Sequence, residues 1–287
     1  MKQLLSSKTL YAQTYHALEP AHLPAHERQA VAQRLLGHYF QLTLADLVVD
    51  RVVPAPRAQQ QQLATASKRL CQQEPLQYVL GQAPFLGHDF QVSPAVLIPR
   101  PETEAWVQHL IDLQLPPGRR VLDIGTGSGC IAITLQLALP QATVLALDNS
   151  PAALQVAQAN AHRLGASVHF LLKDVLHTPF PEQIWDIIVS NPPYVCQAEQ
   201  IHMQPQVLHH EPAGALFVPD ERPLIFHEKI VAQAGQHLAP GGTLCLEINE
   251  AFGPAVAQLL RQAGLQAVHI GQDLQGKDRW VMGCQPD

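Results

Sequence analysis

The feature that most constrains the fold of this 287-residue chain is a regular alternation of strand and helix patterns after Pro116-Pro117-Gly118. Short runs of Val, Ile and Leu alternate with longer segments whose apolar residues recur every three or four positions. This alternation predicts an α/β fold, in which a mostly parallel sheet carries helices on both faces. The predicted strands are Arg120–Ile124, Thr143–Asp148, Val168–Leu172, Asp186–Ser190, Thr243–Ile248, Gln266–Ile270 and Arg279–Gly283. The predicted helices between them are Gly129–Leu139, Ala152–Leu164, Leu224–Leu238 and Ala255–Ala263.

Two other patterns precede this region. Residues 1–83 are rich in Leu, Ala and Gln at helical spacing, which predicts a small N-terminal helical domain. In residues 84–100, apolar residues alternate with turn residues, which predicts a β-hairpin linker. Residues 101–287 then form the α/β domain, which begins with a helix over Thr103 to Leu113. The longest connection, from Tyr194 to Pro223, has a length that is typical of functional loops.

The composition limits the classes of partner. The net charge is −6 and no dense Lys/Arg stripe is visible, so we expect no direct binding to nucleic acid. The five cysteines form no Cys-x-x-Cys pair, which predicts reduced thiols. Pro24 lies between His22 and His26 and disfavours a helical pair of metal ligands, so we expect no metal. No segment approaches the ~20 apolar residues of a membrane span and no signal peptide is recognisable, so the expected location is the cytoplasm.

A glycine-rich bend follows the first predicted strand and leads directly into a helix. Its sequence is Asp123-Ile124-Gly125-Thr126-Gly127-Ser128-Gly129. Glycines let the backbone approach a ligand closely and leave the first N–H groups of the helix accessible. A glycine-rich turn also occurs in other α/β proteins, so this bend predicts a ligand site without identifying the ligand.

Two carboxylates follow the next two predicted strands and suggest which ligand binds. Asp148 ends the second strand, where it can accept hydrogen bonds from both hydroxyls of a ribose. Asp174 lies just after the third strand, where an adenine amino group can donate to it. The glycine spacing differs from the Gly-x-Gly-x-x-Gly of dinucleotide sites. Asp123 at the mouth of the site would repel phosphate but suit the ammonium and sulfonium groups of S-adenosylmethionine, which is therefore favoured over NAD.

The fourth predicted strand ends in Asn191-Pro192-Pro193-Tyr194, at the same edge of the sheet. A planar amide or amino nitrogen is a weak nucleophile because its lone pair is delocalised. The Asn191 side-chain oxygen and the Pro192 carbonyl can accept its two N–H bonds, which directs the lone pair and stabilises developing positive charge. Pro193 keeps Pro192 extended, and the Tyr194 ring offers a flat face for stacking. We therefore predict substrate contacts at all four residues, with Asn191, Pro192 and Tyr194 catalytic. These residues alone do not distinguish an amide from a nucleobase.

Several longer segments match a known family. They are Glu74-Pro75-Leu76-Gln77-Tyr78-Val79-Leu80-Gly81, Leu97-Ile98-Pro99-Arg100-Pro101-Glu102-Thr103-Glu104, Gly125–Gly129, Ser190–Tyr194, Glu211-Pro212 with Ala215-Leu216, Gly241-Gly242 and Asp273–Arg279. Through these segments the chain resembles the HemK/PrmC family, the glutamine methyltransferases that act on peptide chain release factors. Many amino-methyltransferases share the Asn-Pro-Pro-Tyr tetrad, whereas the Leu97–Glu104 segment is much more specific.

The resemblance implies a seven-stranded, Rossmann-like class I methyltransferase domain that uses S-adenosyl-L-methionine, preceded by a helical domain that helps to dock the substrate. The implied reaction methylates the side-chain amide of the glutamine in the Gly-Gly-Gln loop of class-1 release factors, and we expect a monomer. The implied cofactor contacts are Gly125–Gly129, Asp148, Val175 after Asp174, and Asn191. The implied substrate contacts run from Asn191 to Tyr194.

A second branch of the family methylates a glutamine of a ribosomal protein. That branch has Ser-Pro where this chain has Pro101-Glu102, so the release-factor branch is favoured. Two positions depart from the family pattern. Val175 replaces a tryptophan that flanks the adenine in some relatives, and Asn249-Glu250 stands where the family often has a glycine.

Overall fold

The computed structural model describes residues 3–113 and 116–287, so Met1 and Lys2 of the predicted N-terminal domain lie outside the described residues, as do Gln114 and Leu115. Contacts divide the chain into two compact units. The first extends to Gly81 and also contains Gln204–His210, and the second holds the rest of the chain. The predicted boundaries at residues 83 and 100 therefore differ from the division by contacts. A segment distant in sequence joins the first unit, which no local pattern could indicate.

The first unit is mainly helical, with one short antiparallel pair of strands. Its elements are β1 (Leu4–Ser6), α1 (Ser7–Ala17), α2 (Ala25–Phe40), α3 (Leu44–Val48), β2 (Val52–Pro54), α4 (Arg57–Cys71), α5 (Leu76–Leu80) and α9 (Pro205–His210). Its core is formed by leucines such as Leu10, Leu35 and Leu36. Arg69 of α4 binds both carboxylate oxygens of Glu74, at 2.7 and 2.5 Å, and so fixes the turn that leads into α5.

The second unit begins with a β-hairpin and a helix. These elements are β3 (Gln82–Phe85), β4 (His88–Gln91) and α6 (Pro101–Asp112). Phe85 and Phe90 of the hairpin are fully buried in the main core, with ring centroids 6.0 Å apart. The hairpin therefore packs as part of the second unit and starts two residues before the predicted linker.

The predicted seven-stranded sheet is confirmed. Its strands are β5 (Arg120–Ile124), β6 (Thr143–Asp148), β7 (Val168–Leu172), β8 (Trp185–Ser190), β11 (Leu238–Glu247), β12 (Gln266–Gln272) and β13 (Asp278–Cys284). The helices of the unit after α6 are α7 (Cys130–Ala138), α8 (Pro151–Leu164), α10 (Ile225–His237) and α11 (Gly253–Gln262). Two apolar layers cover the two faces of the sheet, which explains why its central strands are apolar at almost every position.

The strand order is β12-β13-β11-β8-β5-β6-β7, and β13 runs antiparallel to both of its neighbours. From β5 the chain moves outward through β6 and β7 and then returns to β8 on the other side of β5. Sheets of this kind bind ligands beyond the carboxyl ends of the strands where the order reverses, here between β5 and β8. Ile124 of β5 pairs with Ser190 of β8, and the Ser190 hydroxyl donates to the Ile124 carbonyl at 2.7 Å. The loops after these two strands therefore start side by side.

Some elements differ from the sequence prediction. Strand β11 starts at Leu238 rather than Thr243, because its pairing with β8 is interrupted and resumes in a shifted register at Thr243. The Tyr194–Pro223 connection contains a short parallel pair, β9 (Val195–Cys196) and β10 (Phe217–Val218), which is too short to show a periodic pattern. Across residues 3–113 and 116–287, every helix is too short or too polar to span a bilayer.

Candidate active site

A cavity of about 320 Å³ lies at the carboxyl ends of β5, β6 and β8, where the strand order reverses. Most of the predicted site residues line it: Gly125, Thr126, Gly127, Ser128, Asp148, Asp174, Val175, Asn191, Pro192 and Pro193. Three predicted residues, Asp123, Gly129 and Tyr194, are not part of the lining. The fold thus brings the two predicted half-sites together, with the glycine-rich bend on one side and the tetrad on the other.

The glycine-rich bend depends on left-handed backbone at its glycines. Gly125 has a φ of 75°, and its N–H and that of Thr126 both donate to the Leu147 carbonyl of β6, at 2.8 and 2.9 Å. Gly129 has a φ of 82°, and a Cβ there would lie 2.8 Å from Ile133 Cδ1. Gly129 therefore contributes close packing beneath the bend and is not part of the cavity lining.

Asp148 is fixed by two backbone groups. Its Oδ2 accepts from the Gly127 N–H and its Oδ1 from the Ser150 N–H, both at 2.9 Å. An ionised carboxylate has about four lone-pair positions, so acceptor capacity stays available to donors in the cavity, which suits the hydroxyls of a ribose. Burial raises the pKa of Asp148, and the N–H groups of Gly127, Ser150 and Asn149 oppose the rise.

Asp123 does not stand at the mouth of the cavity, and that expectation is wrong. Its side chain is fully buried, because the residue lies within β5, a strand that apolar layers cover on both faces. The Thr126 hydroxyl donates to its Oδ2 at 2.7 Å, and Oδ1 has no hydrogen bond of ordinary length within the described part of the chain. Burial raises the pKa of Asp123 to about 7, and the Thr126 hydroxyl and the Ala132 N–H only partly oppose this rise.

Asp174 lines the cavity beyond the end of β7. Its Oδ1 accepts from the Leu176 N–H and its Oδ2 lies against His177 Nδ1, both at 2.9 Å. Partial burial raises its pKa, but the hydrogen bonds from His177 and Leu176 outweigh burial and hold the pKa below the usual value. An ionised acceptor at this place suits an adenine amino group. Val175, the next residue, is a buried apolar part of the cavity wall.

In the tetrad, Asn191, Pro192 and Pro193 line the cavity, and Tyr194 is not part of the lining. Asn191 Nδ2 donates to the Thr103 hydroxyl oxygen at 3.3 Å. The Tyr194 hydroxyl donates to Glu247 Oε1 at 2.9 Å. Burial raises the pKa of Tyr194 well above its ordinary value, and the nearby Glu247 charge adds to the shift, so the phenol stays neutral.

Glu247, at the end of β11, is a site residue that the sequence did not identify. Its carboxyl is almost fully buried and accepts three hydrogen bonds, from the Thr103 hydroxyl at 2.6 Å, from Trp106 Nε1 at 2.8 Å and from Tyr194. Burial raises the pKa of Glu247, and the three donors favour the charged form. Its only sequence signal was an acidic residue that ends an apolar strand, as Asp148 also does.

A second unrecognised feature is an ion pair that supports the cavity wall. Arg100 Nη2 lies 2.7 Å from Glu211 Oε1, and the Ile98 N–H donates to Glu211 Oε2 at 3.2 Å. Arg100 and Ile98 line the cavity, and the Glu211 side chain is 2% exposed, whereas the Arg100 side chain is 30% exposed. The segments around residues 97–104 and 211–216, which the resemblance named separately, thus form one wall.

The departure at residues 249–250 also has a structural role. Asn249 Nδ2 donates to both carboxylate oxygens of Glu199 at 3.1 Å and, more weakly, to the Tyr194 carbonyl at 3.4 Å. Asn249 Oδ1 accepts from the Ala251 N–H at 3.0 Å. Asn249 therefore connects the end of β11 with the backbone that follows the tetrad, a connection that glycine could not make.

Comparisons with known proteins agree with this geometry. The family model described as Methyltransferase small domain matches residues 102–216, and the PrmC N-terminal domain model matches residues 9–81. The release factor glutamine methyltransferase of Bacteroides thetaiotaomicron is 41% identical over 257 residues, which cover 89% of this chain and 92% of that protein. The enzyme of the same name from Bordetella pertussis is 42% identical over 258 residues, covering 90% and 93%.

Among solved structures, a methyltransferase from Pyrococcus furiosus superposes with a TM-score of 0.53 at 18% identity, covering 70% of this chain and 91% of that one. This likeness concerns the fold. Fold and site together define a class I methyltransferase whose methyl donor is S-adenosyl-L-methionine. Within that class, the chain belongs to the release factor glutamine methyltransferase family.

Proposed function

We propose that this enzyme transfers a methyl group from S-adenosyl-L-methionine to the side-chain amide nitrogen of the glutamine in the Gly-Gly-Gln motif of class-1 peptide chain release factors. The observation that carries the proposal is that Asn191 and Pro192 line the same cavity as Gly125–Ser128 and Asp148. The donor half-site, which binds the methyl donor through Gly125–Ser128 and Asp148, is thus adjacent to the acceptor half-site, where Asn191 and Pro192 bind the planar nitrogen that accepts the methyl group. The names of the relatives, which match over most of the chain, supply the substrate class.

The donor half-site fits the cofactor by its polar groups. Asp148 accepts from the ribose hydroxyls, Asp174 accepts from the adenine amino group, and the bend from Gly125 to Ser128 brings backbone N–H groups close to the ligand. Asp123 acts from beneath the bend, where it holds the Thr126 side chain. When bound, S-adenosylmethionine supplies an electrophilic methyl group on sulfur.

The acceptor half-site orients the glutamine amide. Asn191 Oδ1 and the Pro192 carbonyl each accept one N–H of the amide, so that its lone pair faces the methyl group. Transfer would form the bond from nitrogen to the methyl carbon as the bond from that carbon to sulfur breaks, and the nitrogen would then lose a proton to water. The two acceptors stabilise the positive charge that develops on nitrogen. Tyr194 is the proposed stacking residue of the tetrad although it is not part of the cavity lining, and its hydroxyl is anchored on Glu247.

The test is methyl transfer from labelled S-adenosylmethionine to a purified class-1 release factor. We expect label in the release factor, located at the Gly-Gly-Gln glutamine by mass spectrometry of its peptides. A release factor with that glutamine changed to alanine is the matched control and should take up no label. Equal label in the two proteins would refute the proposed acceptor.

Two other acceptors belong in the same assay. Large-subunit ribosomal protein tests the other branch of the family, and bare RNA and DNA test an exocyclic amino group as acceptor. The net charge of −6 opposes nucleic acid as a direct partner. Label found only in nucleic acid, or only in ribosomal protein, would overturn the assignment.

The proposed enzyme is a cytoplasmic monomer, and the first unit is the proposed element that docks the release factor.

A further inference from the structure

We infer that Thr103 and Glu247 are positioning residues that fix which end of the Asn191 side-chain amide faces the substrate. This inference rests on the proposed function only in that Asn191 must accept a hydrogen bond from a planar nitrogen. The acceptor must be Oδ1, because the Nδ2 group of an asparagine can only donate. A rotation of the Asn191 amide by 180° would put a donor against the N–H groups of the substrate.

The orientation follows from a short chain of hydrogen bonds. Glu247 Oε2 faces the Trp106 Nε1–H, which can only donate, so this oxygen is an acceptor and the Thr103 hydroxyl donates its single hydrogen to it, at 2.6 Å. The Thr103 oxygen is then limited to accepting, and its partner at 3.3 Å must be the Asn191 Nδ2 group. The flipped amide would place Asn191 Oδ1 against the lone pairs of Thr103, which is repulsive. Asn191 Oδ1 is thereby left for a donor in the cavity.

The anchor itself is rigid. Glu247 Oε2 also accepts from Trp106 Nε1 at 2.8 Å, and an indole N–H can only donate. Oε2 therefore stays an acceptor, and the hydrogen bonds from Asn191 through Thr103 to Glu247 keep their direction. Oε1 accepts from Tyr194 at 2.9 Å. One buried carboxylate thus holds both ends of the tetrad, Asn191 through Thr103 and Tyr194 directly. Thr103 and Glu247 come from α6 and β11, 144 positions apart in sequence.

The test compares Thr103→Val, which keeps the shape and removes the hydroxyl, with Thr103→Ser, which keeps the hydroxyl. We expect Thr103→Val to lower kcat for release-factor methylation by roughly 10- to 100-fold, with KM and the Kd for S-adenosylmethionine within about threefold of wild type. Thr103→Ser should recover kcat to within about threefold of wild type. Thr103→Ala, which removes the hydroxyl without adding a methyl group, replaces the valine variant if that variant does not fold.

A matched control is Thr134→Val in α7. Thr134 is as buried as Thr103, but its hydroxyl has no hydrogen-bonding partner within the described residues. Its kcat should equal that of wild type. The inference is overturned if Thr103→Val turns over at the wild-type rate, if the valine and serine variants lose kcat equally, or if Thr134→Val loses as much. If wild type labels another planar nitrogen instead of the release factor, the proposed function fails, and the same variants are compared on that acceptor.

Discussion

Two buried carboxylates in the second unit make an instructive comparison, because they have the same burial and very different surroundings. Asp123 lies at the end region of β5 beneath the donor half-site, and Glu247 ends β11 behind the acceptor half-site. Asp123 receives one side-chain hydrogen bond, from Thr126, three residues away. Glu247 receives three, from side chains that lie 53 to 144 positions away in sequence.

The difference indicates two roles for a buried acid. A carboxylate that lacks partners is destabilised in its charged form, so Asp123 keeps its proton up to a pH of about 7. Three donors compensate Glu247 for part of its lost hydration, so it serves as an acceptor that fixes other side chains. The donor half-site is thus built mainly from backbone and local contacts. The acceptor half-site is built from long-range side-chain contacts.

The largest expected effect concerns Asp123 and pH. In the unfolded chain its pKa is near 3.8, and in the folded protein it is about 7, so between these values the folded state binds more protons. The stability that this proton contributes is complete below pH 4 and is lost as the pH rises through 7. The Asp123→Asn variant carries no titrating group there. Its free energy of unfolding relative to wild type should therefore rise by roughly 4 kcal/mol between pH 4 and pH 8.

Denaturant unfolding of cofactor-free wild type and Asp123→Asn protein at several pH values measures this difference. The other titrating groups are common to both proteins and cancel. A difference that does not change with pH would show that Asp123 is ionised in the folded protein, and the contrast with Glu247 would disappear.

The next largest effect tests the acceptor half-site. Asn191→Ala removes one of the two acceptors for the substrate amide, so we expect kcat to fall by roughly 100-fold or more, about 3 kcal/mol of transition-state stabilisation. Calorimetric titration should show that the Kd for S-adenosylmethionine changes little. A variant that methylates at the wild-type rate would mean that Asn191 is not an acceptor for the amide. Loss of cofactor binding in this variant would show that Asn191 acts mainly as a cofactor contact in the donor half-site.

The comparison also explains how much the sequence could predict. The sheet, the glycine-rich bend and Asp148 are encoded in short contiguous patterns, so the strands from β5 to β8 agree with their predicted bounds to within one residue. The contacts of Glu247 depend on where α6 packs against the sheet, which no local pattern specifies. The burial of Asp123 was missed for the opposite reason. Its neighbours in sequence suggested a ligand contact, whereas its position within β5 turns the side chain into the interior.

A third effect tests whether the donor half-site depends on backbone packing. Gly129→Ala would bring a Cβ within 2.8 Å of Ile133 Cδ1 and 3.2 Å of Ala157 Cβ at a φ of 82°. We expect a loss of about 2–3 kcal/mol in the free energy of unfolding, measured with denaturant. Gly165→Ala is the matched control, because Gly165 has a φ of 71° but no atom within 4 Å of the added Cβ. It should lose about 1 kcal/mol. Equal losses of unfolding free energy in the two variants would show that the positive φ, and not the close contacts of Gly129, causes the destabilisation.

The smallest expected effect concerns Asp148, whose carboxylate is fixed by backbone N–H groups and not by other side chains. Asp148→Ala removes an acceptor of charge-assisted hydrogen bonds to the ribose, so the Kd for S-adenosylmethionine should rise by roughly 30-fold, about 2 kcal/mol. At saturating cofactor, kcat should stay near the wild-type value, because other residues, Asn191 and Pro192, form the acceptor half-site. Asp112→Ala, at an exposed position near the end of α6, makes the same change in net charge and should leave the Kd unchanged. Unaltered binding in the Asp148 variant would remove the ribose assignment, and a loss confined to kcat would show that the two half-sites are coupled.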